Sequence, residues 1–208
     1  MDHNVGKKIR GFGCMNLKLL TNLKTFKMKI RFTDVMVDIE TLDTEPTAVI
    51  LSIGAVPFNI VTGEMGNYYY SACNVSMQIR DGYTISAETL AWWINNDHET
   101  LLKYLTDGFS RGRSVDGLID FIEEQCNEDV CIWANSPSFD LVKLRRGLNM
   151  TWPFGFWNER DVRTLVSLRP NIAKMFKTAV SHHPVEDCEN QIRQVCPVYW
   201  DINGITKC

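Results

Sequence analysis

The ten residues Thr33-Asp34-Val35-Met36-Val37-Asp38-Ile39-Glu40-Thr41-Leu42 constrain this chain more than any other stretch. Val35, Val37 and Ile39 alternate with Met36, Asp38 and Glu40, the period of a β-strand with one face in a core. Side chains two residues apart on a strand leave the same face, so Asp38 and Glu40 point together near the strand's end. Two carboxylates held that close repel, and each drifts toward protonation unless a cation neutralises them. A divalent metal between them accounts for the placement. For an isolated Asp-x-Glu, a solvated face of an edge strand is the commoner explanation, so the rest of the chain must supply the context.

That context is an alternation of strands and helices. Ala48 to Phe58 is a nearly continuous apolar run, which predicts a second, buried strand. Asn67 to Ser71 predicts a third, with Gly63 and Gly66 marking the turn, so the domain opens on an antiparallel meander. A helix follows over Ala87 to Asn96, capped by Ser86, and Ser114 is placed to cap another. Val130 to Ala134 is a short buried strand, followed by a helix through Asp140 to Arg146, with Gly147 as its stop. Residues 151–160 predict an ordered aromatic loop, and Asp161 to Leu168 a strand or helix. Pro184 opens a last helix with Val185, Cys188, Ile192 and Val195 inward. The fold class is therefore α/β, a mixed sheet with helices on both faces.

Bulk properties narrow the function classes. A chain of 208 residues is long enough for one domain of ordinary size, and no apolar stretch is long enough to cross a membrane. Its seven cysteines include no CxxC pair, which points to reduced thiols and a cytoplasmic setting. Residues 1–30 hold seven Lys/Arg against one acid, so the net charge of −3 divides into +6 there and −9 in the remainder. This suggests a basic, flexible extension (1–30), with Met28 as an alternative start, and one folded domain over 31–208. Steering of a polyanion to the acidic body is weak except near a local basic strip, Lys143, Arg145, Arg146, Arg160, Arg163 and Arg169.

Two more acids and a histidine stand where an α/β sheet builds its sites. Asp140 and Asp187 each fall in the first turn of a helix, where a carboxylate also favours the macrodipole for purely structural reasons. With His182, the residues Asp38-Ile39-Glu40-Thr41, Ser138-Phe139-Asp140 and His182-x4-Asp187 resemble the three exonuclease motifs of the DEDDh branch of the DnaQ-like superfamily. The resemblance covers about residues 33–196. Trp92-Trp93, Trp133-Ala134-Asn135 and Phe156 to Thr164 are similar to a subgroup comprising phage exonuclease A and bacterial 3′–5′ exoribonucleases. Pro184 departs from the alanine usual in the family, and residues 197–208 match nothing.

The resemblance implies a ribonuclease H-like fold and removal of 5′-mononucleotides from a 3′ end of single-stranded DNA or RNA, with the phage-like pieces favouring DNA. It implies that Asp38, Glu40, Asp140 and Asp187 ligate two Mg²⁺ or Mn²⁺ ions, and that His182 is the general base. Thr41, Leu42, Trp92, Trp93, Phe139 and Arg163 are the expected substrate contacts. A zinc site from His182, His183 and Cys188 fits no common zinc spacing. The rival from another class is a nucleic-acid-binding or interaction module that keeps the fold without catalysis, which would be expected to lack at least one of the five residues.

Overall fold

In the computed structural model, which describes residues 31–106, 108–146, 148, 151–179 and 181–206, five strands form one mixed sheet. Residues 1–30 and Gly147 lie outside the described residues, and with them the proposed extension and the helix stop. β1 (Phe32–Thr41), β2 (Ile50–Phe58), β3 (Tyr69–Ala72), β4 (Cys126–Ala134) and β5 (Glu159–Asp161) are ordered β3-β2-β1-β4-β5. The first three make the antiparallel meander, while β4 runs parallel to β1 and β5 parallel to β4. This is the mixed sheet of a ribonuclease H-like fold.

The alternation along β1 divides the core. Val35, Val37 and Ile39 face α3 (Arg111–Gln125) and α4 (Pro137–Arg145), packing with Leu118, Ile122, Leu141 and Leu144. Met36 faces the other way, onto Val162 of α5 (Val162–Ser167) and Val185, Cys188, Ile192 and Val195 of α7 (Pro184–Ile202). A third cluster, Leu42, Val49, Leu51, Trp93, Leu101 and Tyr104, seats α2 (Ala87–Thr106) beside the end of β1. No described helix is long and apolar enough to cross a membrane.

Several boundaries differ from the sequence expectation, each for a local reason. Ser110, not Ser114, caps α3; Ser114 lies inside the helix and accepts from the Ser71 hydroxyl at 2.8 Å. The expected aromatic loop ends in β5, paired through Ile132, Trp133 and Ala134. Asp161 then caps α5 by accepting from the Arg163 and Thr164 amides, which settles that stretch as helix. Two short helices, α1 (Val75–Arg80) and α6 (Pro170–Phe176), were not foreseen. Within α1, Gln78 is buried and its amide pairs with both the N–H and the carbonyl of Ile50, a tertiary bond without a periodic pattern. α7 continues through Pro197 to Ile202, so the tail of unknown match completes the last helix.

Candidate active site

Asp38 and Glu40 leave β1 on the α7 side, opposite Gly54 and Ser52 of β2. A Cβ at Gly54 would stand 2.6 Å from the Pro184 carbonyl carbon and 2.7 Å from the Val185 nitrogen. Only glycine admits the helix backbone that close to the sheet. The approach brings Asp187, in the first turn of α7, down beside the strand. Asp38, Glu40 and Asp187 each offer a carboxylate oxygen, and the three oxygens lie within 4.8 Å of one another. Among the described residues this is the one group of three or more potential metal ligands. Asp140, buried in the first turn of α4, lines the same cleft outside that trio. The cleft has a volume of about 800 Å³.

Burial dominates the electrostatics here. It raises the Asp38 carboxyl to about 7, opposed by a bond from the Gln191 amide and reinforced by Asp187. Burial also lifts Glu40 to about 9, with Asp38, Asp187, Asp140 and Asp97 adding repulsion. Asp140 is raised well above its ordinary value by burial and then by Asp38, with Lys143 opposing. Asp187 is raised chiefly by burial, while the Ser181 amide stabilises its charged form. Mutually repelling, dehydrated carboxylates are the environment a hard cation relieves. Three close oxygen donors suit Mg²⁺ or Mn²⁺ better than a softer metal. The zinc combination is not assembled: Cys188 is fully buried with its sulfur against the Met36 carbonyl.

The histidines separate cleanly. His182 lines the cleft, with φ +54. Its ring meets Trp92 and Trp93 edge-on at centroid distances of 5.0 and 5.6 Å. His183 instead precedes α7 and stacks on Tyr70 at 5.1 Å.

The expected substrate contacts divide. Phe139 and Arg163 line the cleft, and Trp92 is 44% exposed beside His182. Thr41, Leu42 and Trp93 are buried and do not line it; the Trp93 indole N–H donates to the Thr41 carbonyl, and the Thr41 hydroxyl to that of Asp43. These three therefore support the wall from beneath. The basic strip is largely spent on internal bonds. Arg145 pairs with Glu159, Arg169 with Asp201, and Arg163 donates to the Asn135 side chain. Lys143 is buried, its ammonium donating to the Thr44 carbonyl at 2.9 Å.

Sequence reasoning missed Gln191, whose amide donates to Asp38 at 2.9 Å, and the cleft wall formed by Lys177, Thr178, Asn190 and Gln194. Gln191 was findable, since it lies one turn after Asp187 and so shares its face. The loop residues carried no periodic signal.

The sheet, the acidic trio at its tip and the order of the motif residues fit a 3′–5′ exonuclease. The chain belongs to the 3′-5′ exoribonuclease Rv2179c-like domain family, whose model matches residues 33–200. Among solved structures, it is similar to Exonuclease X in complex with 5′ overhanging duplex DNA, at 17% identity and a TM-score of 0.51, over 83% of this chain and 94% of that one. The nuclease domain of 3′hExo, a DEDDh family member bound to rAMP, matches at 12% identity and a TM-score of 0.54, over 83% and 92%. The Mg²⁺- and Mn²⁺-bound form of S. pombe Pop2p matches at 11% identity and a TM-score of 0.54, over 83% of each. These likenesses are of fold. No curated protein matches the chain by sequence.

Proposed function

We propose that residues 31–208 form a cytoplasmic, metal-dependent exonuclease domain that releases 5′-mononucleotides from the 3′ end of a single strand. The observation that carries this reading is the convergence of Asp38, Glu40 and Asp187 oxygens within 4.8 Å in a cleft that His182 also lines. Asp38, Glu40, Asp140 and Asp187 would hold two Mg²⁺ or Mn²⁺ ions. When bound, such a pair acidifies an attacking water and steadies the leaving 3′-oxygen.

The chain's own groups supply the rest. His182 accepts the proton of the attacking water, imidazole being the side chain whose charge changes near neutral pH. Gln191 fixes the Asp38 carboxylate by its hydrogen bond. Phe139 and Trp92 offer ring surface to the terminal base, where stacking contributes about 1–3 kcal/mol. Arg163, which lines the cleft and donates to Asn135, would meet a phosphate. The family's description supports RNA as the strand, while the phage-like sequence pieces point to DNA.

End-labelled ribo- and deoxyoligonucleotides, incubated with Mn²⁺ and with EDTA, test the proposal. A ladder shortening from the 3′ end, abolished by EDTA, is expected, and the faster ladder identifies the sugar. His182→Ala at saturating metal should cut turnover by about 10²–10⁴-fold. Near wild-type turnover in that variant would remove His182 from the mechanism.

A further inference from the structure

The helix α2 touches both ends of the site, although none of its residues lines the cleft. At one end the Trp93 indole N–H donates to the Thr41 carbonyl at 3.0 Å, tying the helix to the strand that carries Asp38 and Glu40. At the other the Tyr104 hydroxyl donates to the His182 carbonyl at 2.7 Å. Both side chains are buried, at 2% and 4% exposure; the Trp93 bond is buried and the Tyr104 bond half-buried. Residues eleven apart on a straight helix stand about 16 Å apart along its axis. The Trp93 and Tyr104 rings nonetheless approach to 6.2 Å, and α2 breaks between them, where Asp97 has φ −157 and ψ 66. The Asp97 carboxylate caps the second segment by accepting from the Thr100 amide at 3.1 Å. The break is thus a built bend that folds the two anchors toward one another.

His182 needs an anchor. Its φ of +54 is a left-handed conformation that a residue with a Cβ adopts only uncommonly. Such a conformation persists only where its surroundings impose it. The Tyr104 bond fastens the carbonyl of that residue, and the Trp92 and Trp93 edges confine its ring. We propose that Tyr104 is a positioning residue, whose hydroxyl holds the His182 backbone in the left-handed conformation and so aims the imidazole into the carboxylate cleft. Trp93 completes the brace by fixing the distance between the His182 loop and β1.

The consequence for turnover rests on His182 being the general base, as proposed above, so the test separates the two claims. Tyr104→Phe keeps the buried ring and deletes the donor. It should lower kcat about 10- to 100-fold with KM little changed, the scale of loss expected when a catalytic group is displaced by about 1 Å. The Mn²⁺ affinity, read by titration, should stay within twofold. In a His182→Ala background the same change should have no further effect on kcat. The imidazole proton resonances of His182, assigned from the His182→Ala spectrum and shifted by the two tryptophan rings, should move toward random-coil positions in Tyr104→Phe. Restoring a donor with 4-aminophenylalanine at position 104 should recover both kcat and the resonances. Unmoved His182 resonances in folded Tyr104→Phe would overturn the positioning role. So would an equal loss of kcat with and without His182, or a failed rescue in a folded protein. Full turnover in His182→Ala alone would instead overturn the general-base assignment and leave the resonance test of Tyr104 standing.

Discussion

α4 and α7 use one local device and reach different ends. Each starts at a proline, Pro137 or Pro184, and each carries an acid in its first turn, Asp140 or Asp187. α7 is 19 residues long and presses Val185, Cys188, Ile192 and Val195 against the sheet, while Gly54 lets its backbone sink beside Asp38. α4 is 9 residues long, buries Leu141 and Leu144 on the opposite face, and is tied by Lys143 to the Thr44 carbonyl after β1. Asp187 accordingly joins the close trio, and Asp140 lines the cleft outside it. An acid at a helix start becomes part of a site only when neighbouring packing sets the depth at which that helix sits.

The largest effect should come from removing the depth setting of α7. Gly54→Val places side-chain carbon where the Pro184 backbone now lies, and overpacking of this kind costs about 1–3 kcal/mol. Nuclease activity should fall more than a hundredfold, because Asp187 moves with its helix. Wild-type melting and activity in Gly54→Val would show that the close approach is not what recruits Asp187.

Proton linkage offers the next test. In the metal-free protein the folded values of Asp38 and Glu40 lie above their ordinary values, at about 7 and about 9. The folded state therefore binds more protons than the unfolded chain over this range. The stability present below about pH 4 should be lost progressively as the pH rises through 7 and toward 9. Asp38→Asn removes that ionisation cost and should stabilise the metal-free protein by a few kcal/mol at pH 9, and by little at pH 3. Urea melts in EDTA at both pH values check the sign, and added Mn²⁺ should stabilise the wild type but not the variant.

Lys143→Met addresses the α4 side. It leaves the Thr44 carbonyl without its charged donor and removes the cation that opposes repulsion on Asp140. Mn²⁺ affinity should fall about tenfold, consistent with losing a hydrogen bond from a charged group. Calorimetric titration measures it, and an unchanged affinity would mean that Asp140 needs no tether. The smallest change belongs to Gln191→Ala, which deletes one neutral donor to Asp38. About fivefold weaker metal binding is expected from a bond of about 1 kcal/mol. A loss as large as that for Lys143→Met would place Gln191 among the main determinants of the site.

Much of this arrangement was legible in the residues. Alternation along Val35 to Glu40 put two carboxylates on one face, and the apolar run Ala48 to Phe58 paired as expected. The resemblance pointed to His182, and of the two adjacent histidines His182 lines the cleft while His183 stacks on Tyr70. Other features were not legible. Trp92 and Trp93 are adjacent with opposite environments, 44% and 2% exposed, which composition cannot assign. Within the basic strip, Arg145 and Arg169 are ion-paired inside the protein, which was not legible because Glu159 and Asp201 are distant from them in sequence.

The sequence by itself determined the strand carrying Asp38 and Glu40 and the helix starts carrying Asp140 and Asp187, since each depends on short-range period or on local helix-start signals. Only the tertiary structure decided how deeply α7 sits against Gly54, which three oxygens converge, and that a bent α2 fastens the His182 carbonyl through Tyr104. Those outcomes depend on contacts between elements far apart in the chain, whose distances are set by packing volume and not by local pattern.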